Sequence, residues 1–322
     1  MRPIWSHERL IHERSVVLGC ALDSSSVATY SSALNSYLAF CHDHNLPIEL
    51  TVDTLTFYTV YASHFIKPKL VANYLSGICS QLEPFYPDVR QLHSHHLVKR
   101  TLQGCMKLRP SITRHKRPLT HAEIAELQPS FSTSTMPYDD KLFFALLTTG
   151  FHALMHLGEL VWPDKKELQD SRKLIMRHTV EFLPAGYAFY LPGHKGDRFF
   201  DGSCILLQRT STGDDPFSAF HAYVTARDIT FPFHPQLWLR SNGSIPTRAW
   251  FIQKLLHLFK GDIGGHSLHA SGATALAEAG IPPHLIQAIG RWSSPAFQIY
   301  IRRHSVLLAA LLYSQPCPPN SS

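Results

Sequence analysis

The last third of the chain contains four side chains whose chemistry could combine at one site. His266 and His269 lie at the start of a predicted helix, Trp292 follows a second predicted helix, and Tyr300 comes eight residues after Trp292. A tyrosine phenol can act as a nucleophile once its proton is removed, and an imidazole can move a proton near neutral pH. The indole N–H of tryptophan can only donate a hydrogen bond. Together these groups could support nucleophilic catalysis with proton transfer.

Four short segments carry these and related residues in a fixed order along the chain. They are Thr148-Thr149-Gly150-Phe151 with Met155-His156-Leu157-Gly158-Glu159-Leu160, then Gly193-His194-Lys195-Gly196, then Gly264-Gly265-His266-Ser267-Leu268-His269, and last Gly290-Arg291-Trp292-Ser293-Ser294 before Tyr300. This order resembles the tyrosine recombinases, the phage-integrase-like superfamily. Within it, the chain is most similar to eukaryotic recombinase-like proteins related to Crypton-type mobile elements. The resemblance covers nearly the whole chain.

The resemblance implies a function in breaking and rejoining DNA. In that reaction a tyrosine attacks the scissile phosphate and forms a 3′-phosphotyrosine, so that no cofactor is needed. By position in the motifs, the resemblance implies that Tyr300 is the nucleophile and Lys195 the general acid. It also implies that His266 is a proton shuttle and that the Trp292 indole holds a phosphate oxygen.

Two site positions depart from the family pattern. His156 and His269 stand where arginines normally neutralise the scissile phosphate, and we include both in the predicted site. A neutral histidine offers one donor instead of a planar five-donor fork, and an ordinary histidine is mostly uncharged at pH 7. Because removing one such donor typically costs about 10²–10³ in rate, the sequence predicts an impaired recombinase. The alternative is an inactive DNA-binding remnant of a mobile element. Compensating cations could come from Arg198, Arg291 or Arg302.

The elements that must position this site are mainly helical. Apolar periodicity predicts helices over 24–41, after Asp53, from Pro68 to Leu82 and over about 93–108, then over 139–149, 216–227, 247–260, 267–279, 282–289 and 295–303. A period of two predicts strands over 174–182, 187–191 and 203–208. The predicted fold class is therefore mainly α with a small antiparallel β-sheet. The resemblance divides it into a helical core-binding domain (1–110), a basic linker (111–118), a mixed α/β tyrosine-recombinase catalytic domain (119–313) and a flexible tail (314–322).

Charge points to a nucleic-acid partner. The net charge is +6, with 21 further histidines, and the segment 99–117 is basic without a single acid. Its basic residues are the predicted DNA contacts: Lys99, Arg100, Lys107, Arg109, Arg114, Lys116 and Arg117. We expect double-stranded DNA to be held in a clamp of the two domains. An apolar C-terminal segment, 306–312, is expected to form a helix that packs within the chain or assembles a homo-oligomer on DNA.

Composition excludes several other classes of protein. No apolar run is long enough for a membrane span, and the first residues do not resemble a signal peptide. The six cysteines form no CxxC pair, which predicts free thiols in a nuclear or cytoplasmic protein.

A metal site is the alternative from a different class of function. His152, His156 and Glu159 have the spacing of one helix face and could bind zinc together with His266 and His269. That arrangement would make a histidine-based metal hydrolase, although the HExxH order is missing.

Overall fold

The chain folds into two compact units, seen here in a computed structural model. It describes residues 4–19, 22–110, 117–131, 135–194, 197, 201–210, 213–259, 263–265 and 267–292. The N-terminal unit comprises Met1–Arg114 and the C-terminal unit His115–Ser322. Within the predicted linker, residues 111–116 lie outside the described residues, as do the predicted helices over 295–303 and 306–312 and the tail.

The N-terminal unit is helical throughout its described elements. These are α1 (His7–Gly19), α2 (Ser24–Asp43), α3 (Val52–Phe65), α4 (Pro68–Leu82), α5 (Val89–Ser94) and α6 (His96–Leu108). Thr51 caps α3, because its side chain accepts from the Thr54 N–H at 3.1 Å. Tyr37, Tyr58 and Leu75 are fully buried in the core of this unit.

Two helix predictions for this unit need correction. The single helix predicted over 93–108 is two helices, because the extended backbone of His95 ends α5 and its side chain caps the first turn of α6. Helix α1 was not predicted, and apolar residues such as Leu10 and Val17 are exposed on it.

The C-terminal unit combines helices with one small sheet. Its elements are α7 (His121–Phe131), α8 (Tyr138–His152), α9 (Leu157–Leu160), β1 (Glu181–Leu183), β2 (Gly186–Leu191), β3 (Ser203–Gln208), α10 (Pro216–Thr230), α11 (Arg248–Leu258), α12 (Ser267–Glu278) and α13 (Pro283–Ile289). The strands form an antiparallel sheet in the order β1-β2-β3. The predicted fold class, mainly α with a small antiparallel sheet, is confirmed. No helix among the described residues is long and apolar enough to cross a bilayer.

The first strand was predicted too long. Only Glu181–Leu183 pairs with β2, whereas the preceding residues form 3₁₀ turns. The reason is a tertiary contact: Arg177 N–H donates to the Pro235 carbonyl at 2.7 Å, and Leu237 N–H donates to Ile175 at 2.9 Å. The backbone groups of this segment are therefore hydrogen-bonded to a distant loop instead of to β2.

Helix α8 is the centre of the C-terminal unit. Every residue from Leu142 to Phe151 is buried, and α12 packs across its C-terminal end. The close approach depends on Gly272, because a Cβ there would lie 2.1 Å from the Phe151 carbonyl oxygen. This packing sets α12, which carries His269, against the turn that follows α8.

Candidate active site

A tight turn after α8 presents the first site residue. Helix α8 ends at His152, and Leu154 adopts a left-handed conformation with φ of 50°. Met155 N–H then donates to the Gly150 carbonyl at 2.9 Å, which closes the turn. Because the helix ends here, His152, His156 and Glu159 do not share one helix face, and that part of the metal-site prediction is wrong.

The structure brings His156 into contact with His269. Their imidazole rings stack with centroids 3.9 Å apart and an interplanar angle of 27°. The His269 Nδ1–H donates to the Leu154 carbonyl, which fixes the tautomer because a carbonyl can only accept. In the neutral ring, Nε2 of His269 is therefore an acceptor.

Trp292 lies against His269. Its ring centroid is 4.2 Å from that of His269, with an interplanar angle of 57°. The turn after α13 directs it there: Arg291 has φ of 56°, and a Cβ on Gly290 would lie 1.8 Å from the Trp292 ring. Glycine at 290 is thus required for the indole to fold over His269.

An arginine from this turn reaches into the first motif. The Arg291 guanidinium donates to the Glu159 carboxylate, to the Ala153 carbonyl and to the Leu154 carbonyl, each at 3.2 Å. The His156 N–H donates to the same carboxylate at 3.0 Å. Burial raises the pKa of the Glu159 carboxyl, and the charge of Arg291 opposes that rise. Arg291 is therefore a fixed cation beside the histidine pair.

The loop after β2 approaches the same cation. Burial lowers the pKa of His194, and the positive charge of Arg291 lowers it further. His194 directly precedes Lys195 in the chain. The predicted site residues Lys195, His266 and Tyr300 lie outside the described residues, as do Arg198 and Arg302.

Sequence reasoning missed one cation near the site. Arg248, the first residue of α11, is exposed, and its guanidinium lies 3.0 Å from where a Cβ on Gly265 would stand. Gly265 directly precedes His266. No local pattern around Arg248 could have identified it, since the contact is made only by the tertiary fold.

The predicted DNA contacts differ in their surroundings. Lys99, Arg100 and Lys107 are exposed on α6, whose Val98 and Cys105 are buried. By contrast, Arg109 donates to the His64 ring at 2.6 Å. Arg117 forms an ion pair with Glu123 at 2.7 Å. The other two predicted contacts, Arg114 and Lys116, lie outside the described residues.

Comparison with known proteins was made by sequence and by structure. No family model matches the chain, and no curated protein matches its sequence. Solved structures do match. The XerH site-specific recombinase bound to its palindromic difH substrate has a TM-score of 0.61 and 16% identity, covering 88% of this chain and 78% of that one.

Two other solved structures agree with this match. The Tn1549 transposon integrase in complex with transposon right end DNA has a TM-score of 0.54 and 16% identity, covering 89% of this chain and 97% of that one. The lambda integrase dimer bound to a COC' core site has a TM-score of 0.51 and 14% identity, covering 92% and 95%. The chain therefore has the fold of the tyrosine recombinases.

Proposed function

We propose that this protein binds duplex DNA and carries a strand-cleavage site of the tyrosine-recombinase type with a weakened phosphate clamp. The observation that carries the proposal is the contact among His156, His269 and Trp292, joined by the Arg291–Glu159 ion pair. Three motifs that are far apart in the sequence supply these residues. In this proposal Tyr300 attacks the phosphate, Lys195 protonates the departing 5′ oxygen and His266 moves a proton.

The hydrogen bond of His269 is the physical reason that the clamp is weak. Its Nδ1–H is committed to the Leu154 carbonyl, so the neutral ring offers only the Nε2 lone pair. A phosphate oxygen also accepts hydrogen bonds and cannot bind there. An arginine would instead present several N–H donors and a permanent charge.

Two arginines supply positive charge near the cluster. Arg291 is held by four protein acceptors, which are the Glu159 carboxylate and the carbonyls of Ala153, Leu154 and Ile289, so it contributes mainly a fixed positive charge. Arg248 is exposed beside Gly265 and can contact an anion directly. We infer that Arg248 is the phosphate-binding cation of this site and that Arg291 is a positioning residue for Glu159 and the turn at Leu154.

Helix α6 supports the DNA-binding part of the proposal. Its exposed face carries Lys99, Arg100 and Lys107, with buried residues on the other side. Cations on such a face bind backbone phosphates and release counterions, which makes the affinity dependent on salt. On duplex DNA we propose a homo-oligomer that assembles through the segment 306–312.

The second candidate function is DNA binding without cleavage. The same committed hydrogen bond of His269 favours it, because the arginine position at 269 is then lost as a phosphate donor. Such a protein would be an inactive remnant of a Crypton-type mobile element, acting in the nucleus. The two candidates share the DNA-binding face of α6 and differ only in covalent chemistry.

A suicide-substrate assay tests the cleavage proposal. The full chain is incubated with nicked duplex DNA that traps a covalent adduct, beside Tyr300→Phe and the double variant His156→Arg/His269→Arg. We expect a weak adduct from the wild type, none from Tyr300→Phe and at least about a tenfold gain from the double variant, because each donor of this kind is worth about 10²–10³ in rate. No adduct from either the wild type or the double variant, with DNA binding intact, would support the remnant. An adduct that persists in Tyr300→Phe would overturn the assignment of the nucleophile.

A further inference from the structure

Three side chains outside the candidate active site converge on one point of the C-terminal unit. His121 Nδ1 lies 2.5 Å from Asp214 Oδ2, and His152 Nε2 lies 3.1 Å from the same oxygen. One ligand atom from each residue can be chosen so that all three lie within 4.8 Å of one another. Two imidazole nitrogens and a carboxylate oxygen in this arrangement are a set of metal ligands.

The three residues come from separate parts of the fold. His121 is the first residue of α7, His152 is the last residue of α8, and Asp214 precedes α10. Asp214 is fully buried, while the His152 side chain is 13% exposed and that of His121 is 48% exposed. A buried carboxylate is costly unless positive charge compensates it. The cluster is thus closed around Asp214 and open toward solvent at His121.

The surrounding charge favours a cation at this point. The Asp214 carboxylate accepts a hydrogen bond from His121, and the carboxylate of Glu278, the last residue of α12, acts electrostatically on the same imidazole. With neutral imidazoles, the two carboxylates bring a charge of −2 to the neighbourhood. A divalent cation would neutralise that charge, and the mixed nitrogen and oxygen donors match the preference of zinc.

We propose that His121 Nδ1, His152 Nε2 and an Asp214 carboxylate oxygen bind one zinc ion, with water as the fourth ligand on the exposed side of His121. Zinc takes such ligands at about 2.0–2.2 Å in a tetrahedron. His152 Nε2 also lies 3.0 Å from the Asp214 carbonyl oxygen, so zinc binding would release to solvent the protons that the His152 and His121 nitrogens now donate to Asp214. The three ligand atoms would move apart by less than about 1 Å. The half-exposed His121 side chain has room to do so.

The proposed ion has a structural consequence for the active-site turn. It would join the start of α7, the end of α8 and the loop into α10. His152 is followed directly by the turn that contains Leu154, so the ion would hold the base of that turn. This site is distinct from the set of His152, His156 and Glu159 considered from the sequence, since it uses only His152 of those three.

Metal analysis of the untagged full chain tests the proposal. Zinc per chain is measured by mass spectrometry in the wild type, His121→Asn and Asp214→Asn, with His257→Asn as the control because His257 is an exposed histidine of the same unit. We expect about one zinc in the wild type and the control, and at least about a tenfold loss in the two site variants. Cobalt added to the metal-free wild type should give visible d–d absorption that Asp214→Asn lacks.

Thermal unfolding tests zinc binding on the wild type alone, so the result does not depend on whether the variants fold. Zinc at about a hundredfold excess over its Kd should raise the Tm of the metal-free wild type by about 5–10 °C. A wild type with no bound zinc and no shift in Tm would show that the three residues form only a hydrogen-bonded cluster. Equal zinc in His121→Asn and the wild type would place the ion on other histidines. Either result overturns the proposal.

Discussion

The imidazole rings of His156 and His269 stack 3.9 Å apart, centroid to centroid. Two arginines at these positions would carry two permanent charges and two planar five-donor forks. The stacked imidazole rings supply neither fork.

The glycine before Arg291 should be intolerant of a side chain. In Gly290→Ala the new Cβ would lie 1.8 Å from the Trp292 ring, so the indole must leave His269. We expect a destabilisation of roughly 1–3 kcal/mol and a change in intrinsic tryptophan fluorescence, measured during urea unfolding. Gly158→Ala is the control, because a Cβ at that position meets no atom within 4 Å. Equal stability of the two variants would contradict the close packing of Trp292.

Glu159 should make the stability of the protein depend on pH. Because burial raises its pKa above the ordinary value of 4.5, the folded state binds this proton more tightly than the unfolded chain does. The contribution of Glu159 to stability is therefore fully present below pH 4.5 and falls as the pH rises through the folded pKa. Glu159→Gln should match the wild type near pH 4 and become more stable than it toward pH 7.

Urea midpoints at several pH values measure this difference. Glu126→Gln serves as the control, since Glu126 is exposed on α7. A Glu159→Gln variant that is less stable than the wild type at neutral pH would show that the ion pair with Arg291 outweighs the cost of burial.

Arg248 should contribute to DNA affinity. Arg248→Gln removes an exposed cation beside Gly265, and the slope of log affinity against log salt should fall by about 0.9 if one phosphate contact is lost. Fluorescence anisotropy with labelled duplex DNA gives that slope. Arg172→Gln removes the same charge from an exposed arginine that pairs with Asp170 at 2.8 Å, and should leave the slope unchanged. Identical slopes for the two variants would exclude a specific role for Arg248.

The exposed cations of α6 should contribute more to DNA affinity than Arg248 does. The double variant Lys99→Gln/Arg100→Gln should lower the salt slope by about 1.8, because each phosphate contact accounts for about 0.9. Lys165→Gln/Lys166→Gln removes the same net charge from exposed positions in the C-terminal unit. If both pairs lower the slope equally, the effect is one of net charge and α6 is not a specific DNA-binding face.

Much of the fold could be predicted from local signals. Pro68 begins α4, and Ser203–Gln208 forms β3, as the periodicity and the turn residues indicated. The fixed order of the motifs also named His156, His269 and Trp292, which the structure places in contact. Their chemical roles stay predictions.

The remaining features depend on contacts between distant residues. The strand predicted over 174–182 is too long at its start, because the loop at 235–237 takes the backbone hydrogen bonds of residues 175–177. Nothing near His121 in the sequence indicates that Asp214 is its partner. The position of Arg248 beside Gly265 is likewise set by how α11 packs, which a linear pattern does not encode.

One peptide group links His269 and Arg291 in the candidate site. The Leu154 carbonyl accepts hydrogen bonds from both the His269 ring and the Arg291 guanidinium, and it belongs to a residue in the left-handed region, which is strained for leucine. A rotation of this single peptide plane would remove the acceptor of the His269 ring and one acceptor of Arg291 together. Because the two side chains share this acceptor, substitutions at His269 and Arg291 should combine non-additively in a double-mutant cycle.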